Sequence, residues 1–304
     1  MSRSRTRFLH RLGLASLVSW LVASPAVALE RDTPHYPAGT STVMPALLPP
    51  PGETRLLNYV SYYTTDRAND SKGNSSIPGF RFTAVAEAPR LLHTWTAIND
   101  VSWASGIVLV AVYKYIHLPG ASANGAGFGD LVIQPLLLST AFGDLHVFTG
   151  FDVSLPTGAF NKKDLVNPGL NYATYAPQAA VTWLPTKDLE LSLFSVLGFN
   201  TRNPSTRYTS GNYLAIDYAV GYRPIRSLPA LQTSVVGYTL RQFTDDTVGG
   251  HRFMEGHRAQ TFAIGPQVRY DFRYGSVILK WQHEIATRNW PLGNHVQLQL
   301  GSSF

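Results

Sequence analysis

The charged and aromatic side chains that could do chemistry in this chain lie on segments where apolar and polar residues alternate. Successive side chains of a β-strand point to opposite faces, so alternation puts these residues opposite an apolar face. Brought together, such faces would line a path for a solute. The candidate path residues are Lys114, His146, Phe148, Asp152, Phe194, Asp217, Arg269 and Lys280. Two roles stay open for the charged members. They could contact a solute, or they could form structural ion pairs with one another if the strands enclose a narrow lumen. The aromatic members would suit an aromatic solute.

Hydrolytic chemistry is the first enzymatic alternative. It would need a serine nucleophile and a histidine base close together. The chain contains no Gly-x-Ser-x-Gly elbow and no His-x-Ser pattern of the kind found in outer-membrane phospholipases. We therefore expect no catalytic residues and no enzyme activity, and lipid hydrolysis is the less favoured alternative.

A metal site is the second chemical alternative. His251 and His257 lie near Glu255 and could bind a metal, but their spacing is irregular and loop histidines are usually solvated. The chain has no cysteine, which excludes thiolate sites and disulfides. We expect neither a metal nor a cofactor.

The first 28 residues predict a cleaved secretory signal peptide. Arginines at positions 3, 5, 7 and 11 precede the apolar run Leu12–Val22, and the small residues Ala26 and Ala28 mark the cleavage site. Cleavage removes four of the 25 basic residues and none of the 19 acidic ones, so the formal net charge falls from +6 to +2. The basic balance therefore gives no reason to expect a nucleic-acid partner.

Composition and strand pattern predict an all-β, closed antiparallel transmembrane barrel. Only 14% of residues are charged, below the usual quarter of a soluble domain. After the signal peptide no apolar stretch is long enough for a membrane-spanning helix. We expect about twelve strands, at 54–65, 80–97, 104–117, 128–141, 144–156, 171–185, 188–200, 212–223, 230–243, 258–273, 275–287 and 294–304.

The connections between these strands alternate in length. Short turns are expected near 98–103, 142–143, 185–187, 224–229 and 273–274. Longer connections are expected at 66–79, 118–127, 157–170, 201–211 and 244–257, with a shorter one at 289–293. Outer-membrane barrels have short periplasmic turns and long external loops, whereas a β-sandwich has no reason to separate them. An even strand number then puts both termini in the periplasm of a Gram-negative bacterium.

The last strand has an apolar face formed by Val296, Leu298, Leu300 and Phe304. A terminal phenylalanine with alternating apolar residues is typical of the signal that the barrel-assembly machinery reads in outer-membrane proteins. A bilayer cannot satisfy open strand edges, so this strand must pair with the first one. The expected partners are therefore that machinery, outer-membrane lipids and a small hydrophobic solute.

Residues 29–53 do not read as a strand, because their prolines cannot donate ladder hydrogen bonds. They are either a flexible periplasmic linker, which the composition favours, or a segment folded into the barrel mouth. The predicted organisation is a signal peptide at 1–28, this proline-rich segment at 29–53 and the barrel at 54–304.

Several turn motifs resemble a known family. They are the stretches Pro49–Gly52 with Leu56–Tyr59, Gly127–Leu131, Leu155–Gly158, Asn167–Tyr172 and Val181–Leu184. Together they resemble the outer-membrane family named for meta-pathway phenol degradation, over most of the mature chain. The resemblance implies passage of hydrophobic, often aromatic, compounds through the outer membrane, and it supplies no solute-contacting residues.

Two classes of function therefore stay open. A channel would admit small hydrophobic or aromatic compounds by passive diffusion through its lumen. A structural or adhesin-like barrel would act through its long external loops. The width of the lumen and the position of residues 29–53 would distinguish the two.

Overall fold

All regular structure in the described part of the chain is β-strand. The computed structural model describes residues 34–304, so the predicted signal peptide with Ala26 and Ala28 lies outside it. No helix among the described residues is long and apolar enough to span a membrane. The strands are β1 (Thr54–Thr65), β2 (Arg81–Ile98), β3 (Val101–Val108), β4 (Ala111–Leu118), β5 (Ala121–Phe128), β6 (Leu131–Phe142), β7 (Leu145–Leu155), β8 (Thr174–Thr186), β9 (Leu189–Asn200), β10 (Tyr208–Thr209), β11 (Tyr213–Tyr222), β12 (Leu231–Gln242), β13 (Thr247–Val248), β14 (His251–Arg252), β15 (Gln260–Phe272), β16 (Gly275–Arg288) and β17 (Asn294–Ser303).

The large sheet closes into a barrel. Its order runs β1-β17-β16-β15-β12-β11-β9-β8-β7-β6-β3-β2, and β2 pairs again with β1. β3 and β4 are successive parts of one long strand against β2, interrupted at 109–110, where Pro89 on β2 lacks a backbone N–H. β5 and β6 follow each other in the same way, interrupted at 129–130. Twelve long antiparallel strands thus form the wall, which confirms the predicted fold class.

The first and last strands close the ring as predicted. Arg55 pairs with Ser303 at one end of the β1–β17 ladder, and Thr64 pairs with Asn294 at the other. Beyond the ladder, the backbones of Thr54 and Phe304 exchange two hydrogen bonds, both of 2.9 Å. The Phe304 side chain points outward and is exposed.

One predicted loop is instead a hairpin. Residues 118–127 were expected to form a long connection, but β4 and β5 pair along their whole length and only Pro119 and Gly120 turn the chain. The glycines of this hairpin serve close packing. A Cβ on Gly125 would lie 3.3 Å from the Val166 carbonyl oxygen, and one on Gly127 would lie 3.2 Å from the Pro168 ring. This prediction was therefore wrong, because small residues in a strand can mark a neighbouring backbone rather than a turn.

The two ends of the barrel differ. One end, which we call the short-turn end, holds the turns at 99–100, 143–144, 187–188 and 273–274, and the connection at 223–230. The other, the long-loop end, holds the connections at 66–80, 156–173, 201–212 and 243–259. β10, β13 and β14 form a small separate sheet within two of these loops.

The faces of the wall are inverted relative to a soluble protein. On β16, Leu279 and Trp281 point outward and are exposed, whereas Gln282 and Glu284 point inward and are fully buried. Such an apolar outer surface around a polar interior is the arrangement of a transmembrane barrel.

Residues 34–53, which we call the leader, run through the inside of the barrel. Near the long-loop end, His35 Nε2 lies 2.9 Å from the Asp130 carboxylate. Towards the short-turn end, Ser139 donates a hydrogen bond to the Ala46 carbonyl. The Gly52 amide then donates to the Thr94 carbonyl at 2.7 Å. The leader therefore spans the lumen before the chain enters β1.

Candidate functional site

A cavity of about 880 Å³ lies between the leader and the part of the wall that β1, β2 and β4 form. At the short-turn end its lining includes Arg55 and Ser303. At the long-loop end its lining includes Ile77 and Pro291. The cavity thus follows the barrel along most of its length, because the leader occupies only one side of the lumen.

The wall of this cavity is mainly apolar. Alternate residues of β2 point inward, and three of them, Ala84, Ala86 and Ala88, are small enough to leave space beside the leader. Their neighbours along the wall carry larger aliphatic and aromatic groups. These neighbours are Leu57, Tyr59, Phe82, Val108, Val110, Val112 and Ile116.

Sequence reasoning did not find the alanine row. β2 carries apolar residues on both faces, such as Val85 outward and Ala86 inward, so alternation alone leaves its register ambiguous. A run of alanines at every second position was the available signal. Only the pairing of Ala86 with Ser61 and Val112 on the neighbouring strands shows which face encloses the lumen.

Five of the eight predicted path residues line the cavity. Phe148 is buried, and the Phe194 ring lies 5.6 Å from the Tyr36 ring of the leader. The three charged members have protein partners. Lys114 donates to the Asn167 carbonyl at 3.0 Å, Asp152 accepts from Gln134 at 2.8 Å, and Arg269 donates to Asp271 at 2.7 Å.

Asp217 and Lys280 hold the leader instead of lining the cavity. The Asp217 carboxylate accepts hydrogen bonds from the Tyr36 hydroxyl and from the Gly39 and Ser41 amides. The Lys280 ammonium donates to the Gly39 and Thr40 carbonyls, at 2.7 and 2.8 Å. Both wall residues therefore satisfy the backbone of a segment that has no sheet partner of its own.

His146, the eighth predicted path residue, belongs to neither group. It lies one residue into β7, at the short-turn end, and pairs with Thr182. It is half-buried and is not part of the cavity lining.

The structure brings together no metal site in its described part. Among residues 34–304, no three or more His, Cys, Asp or Glu side chains are placed to hold an ion. The candidate ligands His251, Glu255 and His257 lie in the connection at 243–259. In that connection the Asp246 carboxylate accepts hydrogen bonds from the Gly211 amide at 2.8 Å and from Gln242 at 2.7 Å. Burial raises the pKa of Asp246, and hydrogen bonds from Tyr208 and these two groups oppose that rise. The interior of this loop is therefore packed around the fully buried Asp246.

Solved structures with the same architecture are outer-membrane barrels. An outer membrane channel from Pseudomonas putida F1 matches with a TM-score of 0.76 and 18% identity, over 84% of this chain and 97% of that one. The β domain of the Bordetella autotransporter BrkA matches with a TM-score of 0.54 and 12% identity, over 83% of this chain and 100% of that one. At such identities the likeness establishes the fold, that of an outer-membrane β-barrel.

A search of the curated proteins found no match to the chain. A family model described as "Putative MetA-pathway of phenol degradation" matches residues 65–300, from the end of β1 into β17. This range contains nearly the whole barrel wall and most of the cavity lining. The chain therefore belongs to this phenol-degradation family of outer-membrane proteins.

Proposed function

We propose that the protein is an outer-membrane channel that admits small hydrophobic or aromatic compounds by passive diffusion. The observation that carries this proposal is the apolar cavity of about 880 Å³ that runs along the lumen beside the leader. A cavity of this size is in the range of sites that enclose small organic molecules. The P. putida protein with the same fold is called a channel, which supports the proposal.

The physical argument rests on the contrast between the two sides of the lumen. On the leader side, buried carboxylates and amides are engaged by the leader, so a solute there would have to break hydrogen bonds. On the β1–β2–β4 side, the row Ala84, Ala86 and Ala88 offers no hydrogen-bonding side chain. An apolar solute would displace water there without losing polar contacts, and its concentration gradient would suffice to drive it.

The proposal includes the orientation and delivery of the barrel. The long-loop end would face the exterior and the short-turn end, with both termini, the periplasm. The signal peptide would direct export across the inner membrane and would be cleaved after Ala28. The assembly machinery would then recognise the outward face of β17, formed by Val296, Leu298, Leu300 and Phe304.

The test is to fill the cavity with a large side chain placed on its wall. We expect the Ala86→Trp variant to lose uptake of a radiolabelled aromatic hydrocarbon, down to the level of cells that lack the protein, because an indole would occupy the space beside the leader. The measurement is initial uptake by whole cells at low hydrocarbon concentration. The matched control is Val85→Trp, whose side chain would point to the outer surface from the adjacent position of β2.

Equal uptake by cells with and without the wild-type protein would overturn the channel proposal. That result would favour the structural or adhesin-like alternative, in which the external loops carry the function. Loss of uptake in both tryptophan variants would point to damaged assembly, which the amount of heat-modifiable barrel in outer-membrane fractions would show.

A further inference from the structure

The apolar wall of the cavity ends in a group of arginines at the short-turn end. Arg55 on β1 and Arg90 on β2 both line the cavity. In the β1–β2 ladder Arg55 pairs with Leu92 and Leu57 pairs with Arg90, so the two arginines are diagonal neighbours on the inner face. Arg269 on β15 lines the same cavity.

The charges of this group are unequally compensated. Arg269 is paired with Asp271, at 2.7 Å. The Arg90 Nε donates to the Gln134 amide oxygen at 2.6 Å, and the Gln134 amide nitrogen donates to Asp152. The Gln134 amide therefore lies between the Arg90 guanidinium and the Asp152 carboxylate. Among the described residues, no ion pair within 4.0 Å includes Arg55 or Arg90.

Of the three arginines, Arg55 has the least compensated positive charge. Its Nε donates to the Ser303 hydroxyl at 3.1 Å. Among residues 34–304 this is its one side-chain hydrogen bond, and no carboxylate forms an ion pair with it. The terminal nitrogens of the guanidinium are thus available for an anion, and a guanidinium binds a carboxylate through two parallel hydrogen bonds.

The apolar wall leads directly to these arginines. Leu57 lies two residues from Arg55 on the inner face of β1, and Ala88 lies two residues from Arg90 on that of β2. Two residues of a strand span about 7 Å, which is close to the length of a benzoate-sized molecule. A ligand with an apolar ring and a carboxylate would match both chemistries at once, whereas a neutral hydrocarbon would leave the arginines unused.

We propose that the short-turn end of the cavity binds a small aromatic carboxylate, with its ring against Leu57 and Ala88 and its carboxylate between Arg55 and Arg90. This proposal rests on the proposed channel function and names its substrate class. The arginines would draw the anion along the apolar wall towards the short-turn end.

The test compares two probes of nearly equal shape, benzoate and the neutral benzyl alcohol. Binding of each would be measured by calorimetry on the purified protein in nanodiscs, with protein-free nanodiscs as the baseline. We expect the wild type to bind benzoate more tightly than benzyl alcohol. We expect Arg55→Gln and Arg90→Gln each to weaken benzoate binding by about tenfold, the scale of one charge-assisted hydrogen bond, and to leave benzyl alcohol binding unchanged. The matched control is Arg241→Gln, which removes an exposed arginine that does not line the cavity.

Two results would overturn this inference. The first is equal binding of benzoate and benzyl alcohol by the wild type, and the second is benzoate binding that neither lumen variant changes. Either result leaves the channel proposal standing if Ala86→Trp still abolishes hydrocarbon uptake. Failure of the channel proposal itself would appear in that uptake assay. Using two separate arginine variants keeps the test decisive if one of them does not fold.

Discussion

Glu284 shows how a charged residue in this lumen can be structural. Its fully buried carboxylate accepts five hydrogen bonds, from the Tyr63, Tyr238 and Thr261 hydroxyls, the Trp290 indole and the Gly293 amide. The donors come from three strands and from the connection before β17. A buried carboxylate is tolerated only when it is satisfied in this way. The residue therefore joins four parts of the barrel at one point.

At the residue scale we predict that Glu284→Ala lowers the stability of the barrel. The substitution leaves several buried donors without an acceptor, and each orphaned group costs about 1–3 kcal/mol. Glu284→Gln keeps an acceptor oxygen and should lose less. The measurement is the midpoint of heat-modified electrophoretic mobility in detergent. The control is Glu87→Ala, which removes an exposed outward carboxylate that accepts from Asn58. A midpoint for Glu284→Ala as high as that of Glu87→Ala would refute the structural role.

At the scale of elements, the leader is held by wall residues on β9, β11 and β16. The Met44 amide donates to Glu190 at 2.8 Å, the Gly39 amide donates to Asp217 at 2.7 Å, and Lys280 donates to two leader carbonyls. The leader contains no regular strand, so these side chains take the place of a ladder. Its position in the lumen thus depends on a few charged groups.

We predict that Lys280→Ala loosens the leader, because two backbone carbonyls lose their donor. The chain has no cysteine, so a single Val43→Cys substitution gives one reporter on the leader. The rate of reaction with a membrane-impermeant maleimide should rise when Lys280→Ala is added. Lys162→Ala, an exposed lysine in a long-loop-end connection, is the control and should leave the rate unchanged. An equal rate in the Lys280 and Lys162 variants would show that the ammonium does not hold the leader.

On the scale of the whole molecule, the barrel wall and the leader together define the cavity. Twelve strands enclose a lumen that the inward side chains of the wall do not fill by themselves. The leader occupies one side of this lumen. The remaining space is mainly apolar, apart from charged groups such as the arginines at its short-turn end, because the leader covers much of the polar side. Selectivity for apolar compounds would therefore depend on the leader as much as on the wall.

We predict that deleting residues 34–48 converts the protein into a wider, polar pore. Removal of the leader exposes Glu190, Asp217 and Lys280 to the lumen, so water and ions should enter. The measurement is single-channel conductance in a planar bilayer, with wild type as reference. Conductance should rise strongly, and discrimination against hydrophilic solutes should fall. Unchanged conductance in a folded deletion variant would mean that the leader does not restrict the lumen.

Much of the wall was predictable because its signal is local. On β7, β11 and β17, apolar and polar residues alternate, so about ten residues are enough to tell the two faces of each strand apart. A strand of that length is also what a tilted membrane crossing requires. The pairing of β17 with β1 followed from the need to close the sheet in lipid. The β4–β5 hairpin was missed because its glycines and alanines resemble a turn when the loop that packs on them is unknown.

From the amino-acid sequence alone follow the class of fold, the number of long strands and the closing pair. On the strictly alternating strands it also predicts which side chains face inward, whereas on β2 it does not. It could not determine what those inward side chains meet, because that depends on closure of the ring and on the path of the leader. Asp217 and Lys280 read as candidate solute contacts, but the tertiary structure placed leader amides and carbonyls against them. The same placement left the alanine row of β2 and the arginines at its end free to line a cavity. Contacts between segments that are far apart in the chain do not appear as a periodic pattern in either segment, so only the folded structure could reveal the site.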